Sequence, residues 1–280
     1  MISINTGDVR KLPKPSFVSW IVQGASVKVG DKPATCYLID WKLDNAALDE
    51  WALHIRRHYL RDDLLAQRSL LRRLSQEEYL KEYVIPQRGD QFGPQAIAGD
   101  FAEILVMDLM QYCKDYVVAR YKHHDRLVKD RSEPGCDVVA YKFDNGYLAP
   151  SRKDELQIIE VKSAVSKTSV SDVKKRVNQA IDGSEEDPNR VAMTLNYMSN
   201  KAANENDTLT RDELIRFLNK ADNPFVERYG IAVTVDSNVF SSITTDLEDL
   251  QSNDLSGMVF LIQAKDFRDL VYDVYSRCVA

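Results

Sequence analysis

The chain has 280 residues, 44% of them apolar and 29% charged, which suits one large domain or one domain with a sizeable extension. A net charge of −6 argues against a dedicated, tight nucleic-acid binder of the basic kind, while leaving room for a local basic groove or for affinity supplied by a partner. No apolar run approaches the roughly 20 residues of a membrane span, Met1-Ile2-Ser3-Ile4-Asn5 lacks a signal-peptide pattern, and Cys36, Cys113, Cys136 and Cys278 form no Cys-x-x-Cys pair, so a soluble, cytoplasmic protein with reduced, mostly buried thiols is expected.

In chain order, residues 16–22, 25–29 and 35–41 read as strands, with turns at Gly24 and at Gly30-Asp31-Lys32-Pro33. Leu48, Trp51, Ala52 and Ile55 give residues 45–59 a helical stripe. His54 and His58 sit one turn apart on it with no carboxylate partner evident, which reads as an ordinary helix surface. A second helical stretch covers 62–83, and its arginines alternate with acidic residues as on a solvated face. After a loop at 85–94, Pro94 opens a helix that runs to about residue 113. Residues 116–121, 137–143 and 156–163 read as strands, with the turn signal Asp144-Asn145-Gly146 after the second. Ser169 or Ser171 caps a helix to about residue 181, stopped by Gly183. Residues 184–225 read as an acidic helical insertion with a capping box at Thr210-x-x-Glu213. Strands at 229–235 and 258–263 and a helix at 266–275 complete the chain. This order predicts an α/β fold: a mixed sheet flanked by helices over 91–280, with an N-terminal α+β region over 1–90 that docks a partner or gates the site.

The chemistry-bearing residues are few. Glu160-Val161-Lys162 lies in a β-like run, where positions i and i+2 share a face and Ile159 and Val161 turn to the core. A carboxylate-x-lysine triplet is common by chance, and Asp172-Val173-Lys174 is a second copy. That copy falls in a helical stretch, where i and i+2 diverge. Asp137 opens the neighbouring strand after Gly135-Cys136, and Glu103 lies on the preceding helix, near Ala96 and Gly99, small residues that would let helix and sheet approach closely. Phe101, Ile104, Leu105 and Leu109 form most of that helix's packing stripe. A hard divalent cation such as Mg²⁺ takes oxygen ligands. Asp137, Glu160, the Val161 carbonyl and Glu103 could supply them, and Lys162 could orient or help deprotonate a nucleophilic water.

Gly135-Cys136-Asp137 followed by Glu160-Val161-Lys162, between an acidic helix and a capped helix, resembles the PD-(D/E)XK nuclease superfamily over about residues 95–263. Pro134 stands three residues before Asp137 rather than beside it, a departure from the motif. The resemblance implies a restriction-endonuclease-like core, a Mg²⁺-dependent (or Mn²⁺-dependent) DNA endonuclease with Asp137, Glu160, Lys162 and Glu103 as its catalytic set, and Gln179 near the substrate phosphate. More narrowly, the Trp51–Arg57 stretch with Gly99-Asp100-Phe101-Ala102-Glu103 is similar to the HamA-like nuclease subunit of Hachiman anti-phage defence. That implies DNA as substrate and a helicase/ATPase subunit that holds the nuclease inactive. A stand-alone restriction or repair nuclease of the same fold, and a non-catalytic interaction module, are the alternatives.

Overall fold

A computed structural model describes residues 14–243, 247–251 and 255–280. The N-terminal stretch Met1 to Asn5 lies outside them. A seven-stranded mixed sheet, in the order β1-β2-β7-β6-β5-β4-β3, runs through the molecule. Its strands are β1 (Ile21–Val29), β2 (Lys32–Ile39), β3 (Val117–Val118), β4 (Val138–Lys142), β5 (Glu155–Ala164), β6 (Val226–Asp236) and β7 (Val259–Ala264). The centre, β2-β7-β6-β5, is parallel; β1 and the β4-β3 pair add antiparallel edges. The fold is therefore α/β, as the alternation of elements predicted.

One face of the sheet carries α1 (Asn45–Tyr59), α4 (Gly93–Tyr112) and α8 (Phe267–Arg277); the other carries α5 (Val170–Asn204), α6 (Thr208–Arg216) and α7 (Ser237–Ile243). Asp44 caps α1 by accepting from Ala46 N and Ala47 N, and Trp51 stacks on Phe17 at 4.6 Å, fastening the N-terminal segment to the main core. Helix α4 is buried on nearly every side, with Ile104, Leu105, Val106, Met107 and Leu109 each at most 1% exposed. It is the central rod of its layer rather than an amphipathic surface helix. Strand β5 is buried on both faces: Ile159 and Val161 join the α1/α4/α8 core, and Leu156 and Ile158 join the α5/α6 core.

Several elements differ from the sequence reading, each for a local reason. Ser16–Trp20 is a 3₁₀ helix, not a strand. Gly24 is not a turn but lies inside β1, where the register shifts between Gln23 and Ser26, as glycine in a strand often marks. The helix expected over 62–83 breaks at Arg73, which adopts φ 57°, into α2 (Asp62–Arg72) and α3 (Gln76–Tyr79) with a π-helical turn after it. The strand expected over 116–121 is only two residues long; past it the chain carries Lys122 and His123 into buried contacts with Glu103. Asp207, not Thr210, caps α6 by accepting from Thr210 N. Gly183 does not stop a helix: α5 runs 35 residues through both Gly183 and Pro188.

Candidate active site at the β4–β5 edge

The register of β4 against β5 builds the site. Val138 pairs with Ile159, so one further antiparallel step sets Asp137 beside Glu160. Asp137 precedes the strand, and its side chain does what a strand neighbour would: Oδ2 accepts from Val161 N at 2.8 Å. Backbone alternation turns the Val161 carbonyl to that same side. Gly135, at φ +124°, makes the bend into β4, and a Cβ there would lie 2.7 Å from Thr194 Oγ1 on α5.

Glu160 points to the α5 face and is only 4% exposed. Lys162 contacts its Oε1, and Arg190 of α5 reaches its Oε2 at 3.4 Å. Arg190 also donates to the Gly183 carbonyl at 2.7 Å and pairs with Asp187 at 3.0 Å. Gly183 is where α5 passes over the Glu160 carboxyl group; a Cβ there would sit 2.5 Å from Oε1. The presence of a glycine inside this helix follows from that contact.

Glu103 approaches from the opposite layer, on α4. It does not reach Glu160 directly. Between it and Asp137 lies Lys122, 3% exposed, which contacts Asp137 Oδ1 and stands 3.0 Å from Glu103 Oε2. His123 Nε2 is 3.3 Å from the same Glu103 oxygen. A Cβ on Gly99 would meet no atom within 4 Å, so this glycine is not what brings α4 close to the sheet; the apolar side chains do that. Gln179 lies on α5 one turn before Gly183, on the same face, with its Oε1 accepting from Arg176 at 2.9 Å.

Four carboxylates (Glu103, Asp137, Glu160, Asp187) thus share the site with three cationic side chains (Lys122, Lys162, Arg190). The excess of buried acid shows in the ionisation. Burial, then the Asp137 charge, pushes Glu160 up to about 7. Burial, against the pull of Lys122, pushes Glu103 up to about 8. Burial pushes Asp187 up to about 6. Asp137 goes the other way: burial opposes its charge, yet Lys122 and Lys162 hold it below the usual carboxylate range. Both Asp187 oxygens and Glu103 Oε2 are buried without a well-directed hydrogen bond. A hard oxygen donor set with surplus buried charge fits a divalent cation at Asp137, Glu160 and the Val161 carbonyl.

Sequence reasoning missed Lys122, Asp187 and Arg190. The last two were legible: Arg176, Gln179, Gly183, Asp187, Arg190 and Thr194 recur at helical spacing, a polar stripe on one face once the helix is allowed to run through Gly183. Lys122 left no local signal.

His54 and His58 are not an exposed pair either. His54 Nε2 meets the fully buried Asp108 at 2.9 Å, and the two Nε2 atoms lie 3.4 Å apart. Their ligand atoms cluster closely enough to hold a metal. Arg120 already occupies that role, donating to Asp108 Oδ1 and to His58 Nε2, each at 2.8 Å, so the cluster carries its own cation. The missing carboxylate came from another helix.

A family model described as HamA matches residues 15–278. No curated protein matches the chain. Among the described residues, no helix is long and apolar enough to cross a membrane.

Proposed function

The chain belongs to the HamA family, and on that premise we propose that it is the effector nuclease of a Hachiman-type anti-phage defence system, a PD-(D/E)XK-like enzyme hydrolysing DNA phosphodiester bonds with Mg²⁺ or Mn²⁺ and restrained by a helicase partner. The observation that carries the reading is the β4–β5 register, which sets Asp137 against Glu160 with Lys162 on the Glu160 face and leaves the buried carboxylates in excess. Asp137, Glu160 and the Val161 carbonyl would hold the metal, with Glu103 behind them. When bound, the metal would lower the pKa of a coordinated water and neutralise charge developing on the scissile phosphate.

The chain's own residues do the positioning. Asp137 is fixed by Val161 N–H, and Glu160 by Lys162, Arg190 and the shelf at Gly183. Lys162, partly exposed beside a nearly buried Glu160, is the cation best placed to meet an incoming phosphate or to orient the attacking water. Gln179 and Arg176 extend the polar stripe of α5 along the path a phosphate backbone would take. The net negative charge of the chain accords with a partner that supplies DNA affinity.

The test is plasmid degradation by the full chain with Mg²⁺, alone and with its helicase, beside Glu160→Gln and Lys162→Ala. Cleavage that requires both residues supports the nuclease, and suppression by the helicase supports restraint. Variants as active in phage defence as the native chain, with no cleavage in any mixture, would leave a non-catalytic interaction module instead.

A further inference from the structure

Both Asp137 oxygens already have a donor. Val161 N–H occupies Oδ2, and the Lys122 ammonium contacts Oδ1 while also standing 3.0 Å from Glu103. An ammonium and a divalent cation at the same carboxylate oxygens repel, and burial strengthens that repulsion by thinning the screening water. At 3% exposure, Lys122 has no open solvent to swing into. It can leave only if the backbone that carries it moves.

That backbone is a strap, residues 119–126, between β3 and β4, and it is clamped from outside the site. Arg68 of α2 grips the Asp125 carboxylate through both terminal nitrogens. Asp125 N–H donates to the Tyr59 carbonyl at the end of α1, at 2.9 Å, and Asp125 itself adopts φ 51°. Arg126 forms a two-pronged pair with Asp100 at 2.6 and 2.8 Å. Lys201 of α5 donates to the His124 and Asp125 carbonyls. Beside the strap lies a cleft of about 170 Å³ lined by Tyr59, Arg68, Tyr79, Tyr83, Asp125 and Leu127. Leu127, at 94% exposed, makes no packing that would oppose a shift.

We propose that Lys122 is a resident rival of the catalytic metal, holding the Asp137 and Glu103 oxygens, so that metal loading requires displacement of the 119–126 strap. The proposal rests on the metal-nuclease reading above and adds a restraint internal to this chain. Because the clamps sit on α1, α2, α4 and α5, whatever grips those helices sets how readily the site loads.

The experiment measures Mn²⁺ binding to the full chain by the resonance signal of free Mn²⁺, with thermal melting alongside, for the native protein, Lys122→Met, Arg68→Ala and Asp137→Asn. Removing the rival charge should tighten Mn²⁺ binding roughly tenfold or more, the scale of a strong coupling between two ligands of one site. Lys122→Met should melt below the native protein in chelator and recover as Mn²⁺ is added. Arg68→Ala removes only a strap clamp, one that pairs with Asp125 and not with the site carboxylates, and should tighten binding about two- to fivefold, the worth of one half-exposed ion pair. Should Lys122→Met not fold, Arg68→Ala decides alone. Asp137-dependent binding that is no tighter in Lys122→Met and Arg68→Ala overturns the rivalry and leaves the nuclease reading standing. Absence of Asp137-dependent binding in every variant overturns both.

Discussion

Gly183→Ala isolates the positioning of one carboxylate. The added Cβ would lie 2.5 Å from Glu160 Oε1 and 2.7 Å from its Cδ, where ordinary contact begins near 3.4 Å. The backbone of α5 is tied down by packing against β5 and β6, so the carboxyl group gives way, by about 1 Å. Two energies oppose each other in the fold. Alanine in a helix interior is favoured over glycine by about 1 kcal/mol, and overpacking a tight contact costs about 1–3 kcal/mol. The net loss of stability should be about 0–2 kcal/mol. Catalysis has no such compensation: an ångström of misplacement at a reacting centre costs on the order of 100-fold. Gly99→Ala is the matched control, a helical glycine whose Cβ would meet nothing within 4 Å. It should stabilise by about 0.5–1 kcal/mol with cleavage unchanged. Urea denaturation and plasmid cleavage on both variants decide the matter. Full cleavage by Gly183→Ala would refute the claim that Glu160 must sit against α5. A loss above about 4 kcal/mol would mean that the backbone, not the carboxyl group, takes the strain.

Arg120→Met strips the guanidinium from fully buried Asp108 and should cost about 3–5 kcal/mol in denaturant unfolding, as breaking a buried pair does; a loss under 1 kcal/mol would mean that His54 alone satisfies the carboxylate. His58 is held well below the ordinary histidine pKa by burial and then by Arg120, so it stays neutral in the fold while the unfolded chain takes up a proton below about pH 6.5. Its contribution is complete above that pH and is lost as pH falls. As pH falls from 7 the native protein should therefore lose more stability than His58→Gln, and equal acid sensitivity of the two in urea titrations would contradict the assignment.

The strands of the sheet centre were legible because burial on both faces writes a continuous apolar run, as in Leu156, Ile158, Ile159 and Val161, with period-two exceptions at Glu160 and Lys162. Helix starts were legible at Asp44 and Ser169, where a short polar side chain caps them, though not at Ser75 or Asp207. What failed were the points where tertiary contact overrules local preference. Gly183 read as a helix stop, but it answers to the Glu160 carboxyl beside it, and Arg190 donates to the Gly183 carbonyl as the helix runs on through Pro188. Likewise 116–121 has the residues of a strand, yet strand pairing ends at Val118 and the chain that follows carries Lys122 to Glu103 and Asp137.

The candidate site divides along the same line. Asp137, Glu160 and Lys162 stand out because strand geometry alone brings them together: a register of two adjacent strands and an i, i+2 spacing are local facts. Lys122 answers those carboxylates from a stretch with no local sign of it, Arg190 from a helix read as ending before it, and Arg120 and Asp108 answer the histidines of α1 from elsewhere in the chain. Acid groups crowded into a dry site create the demand for cations, and the fold meets it with whichever basic side chains its loops and helices can deliver. The strand-borne pair Asp137 and Glu160 can therefore be picked out from the chain's pattern, whereas Asp187 and the basic groups around them emerge only once the strap at 119–126 and the length of α5 are seen in space. On the proposed reading, restraint of this site lies in the basic side chains rather than in the acidic motif, so removing Lys122, not Glu160, should ease metal loading.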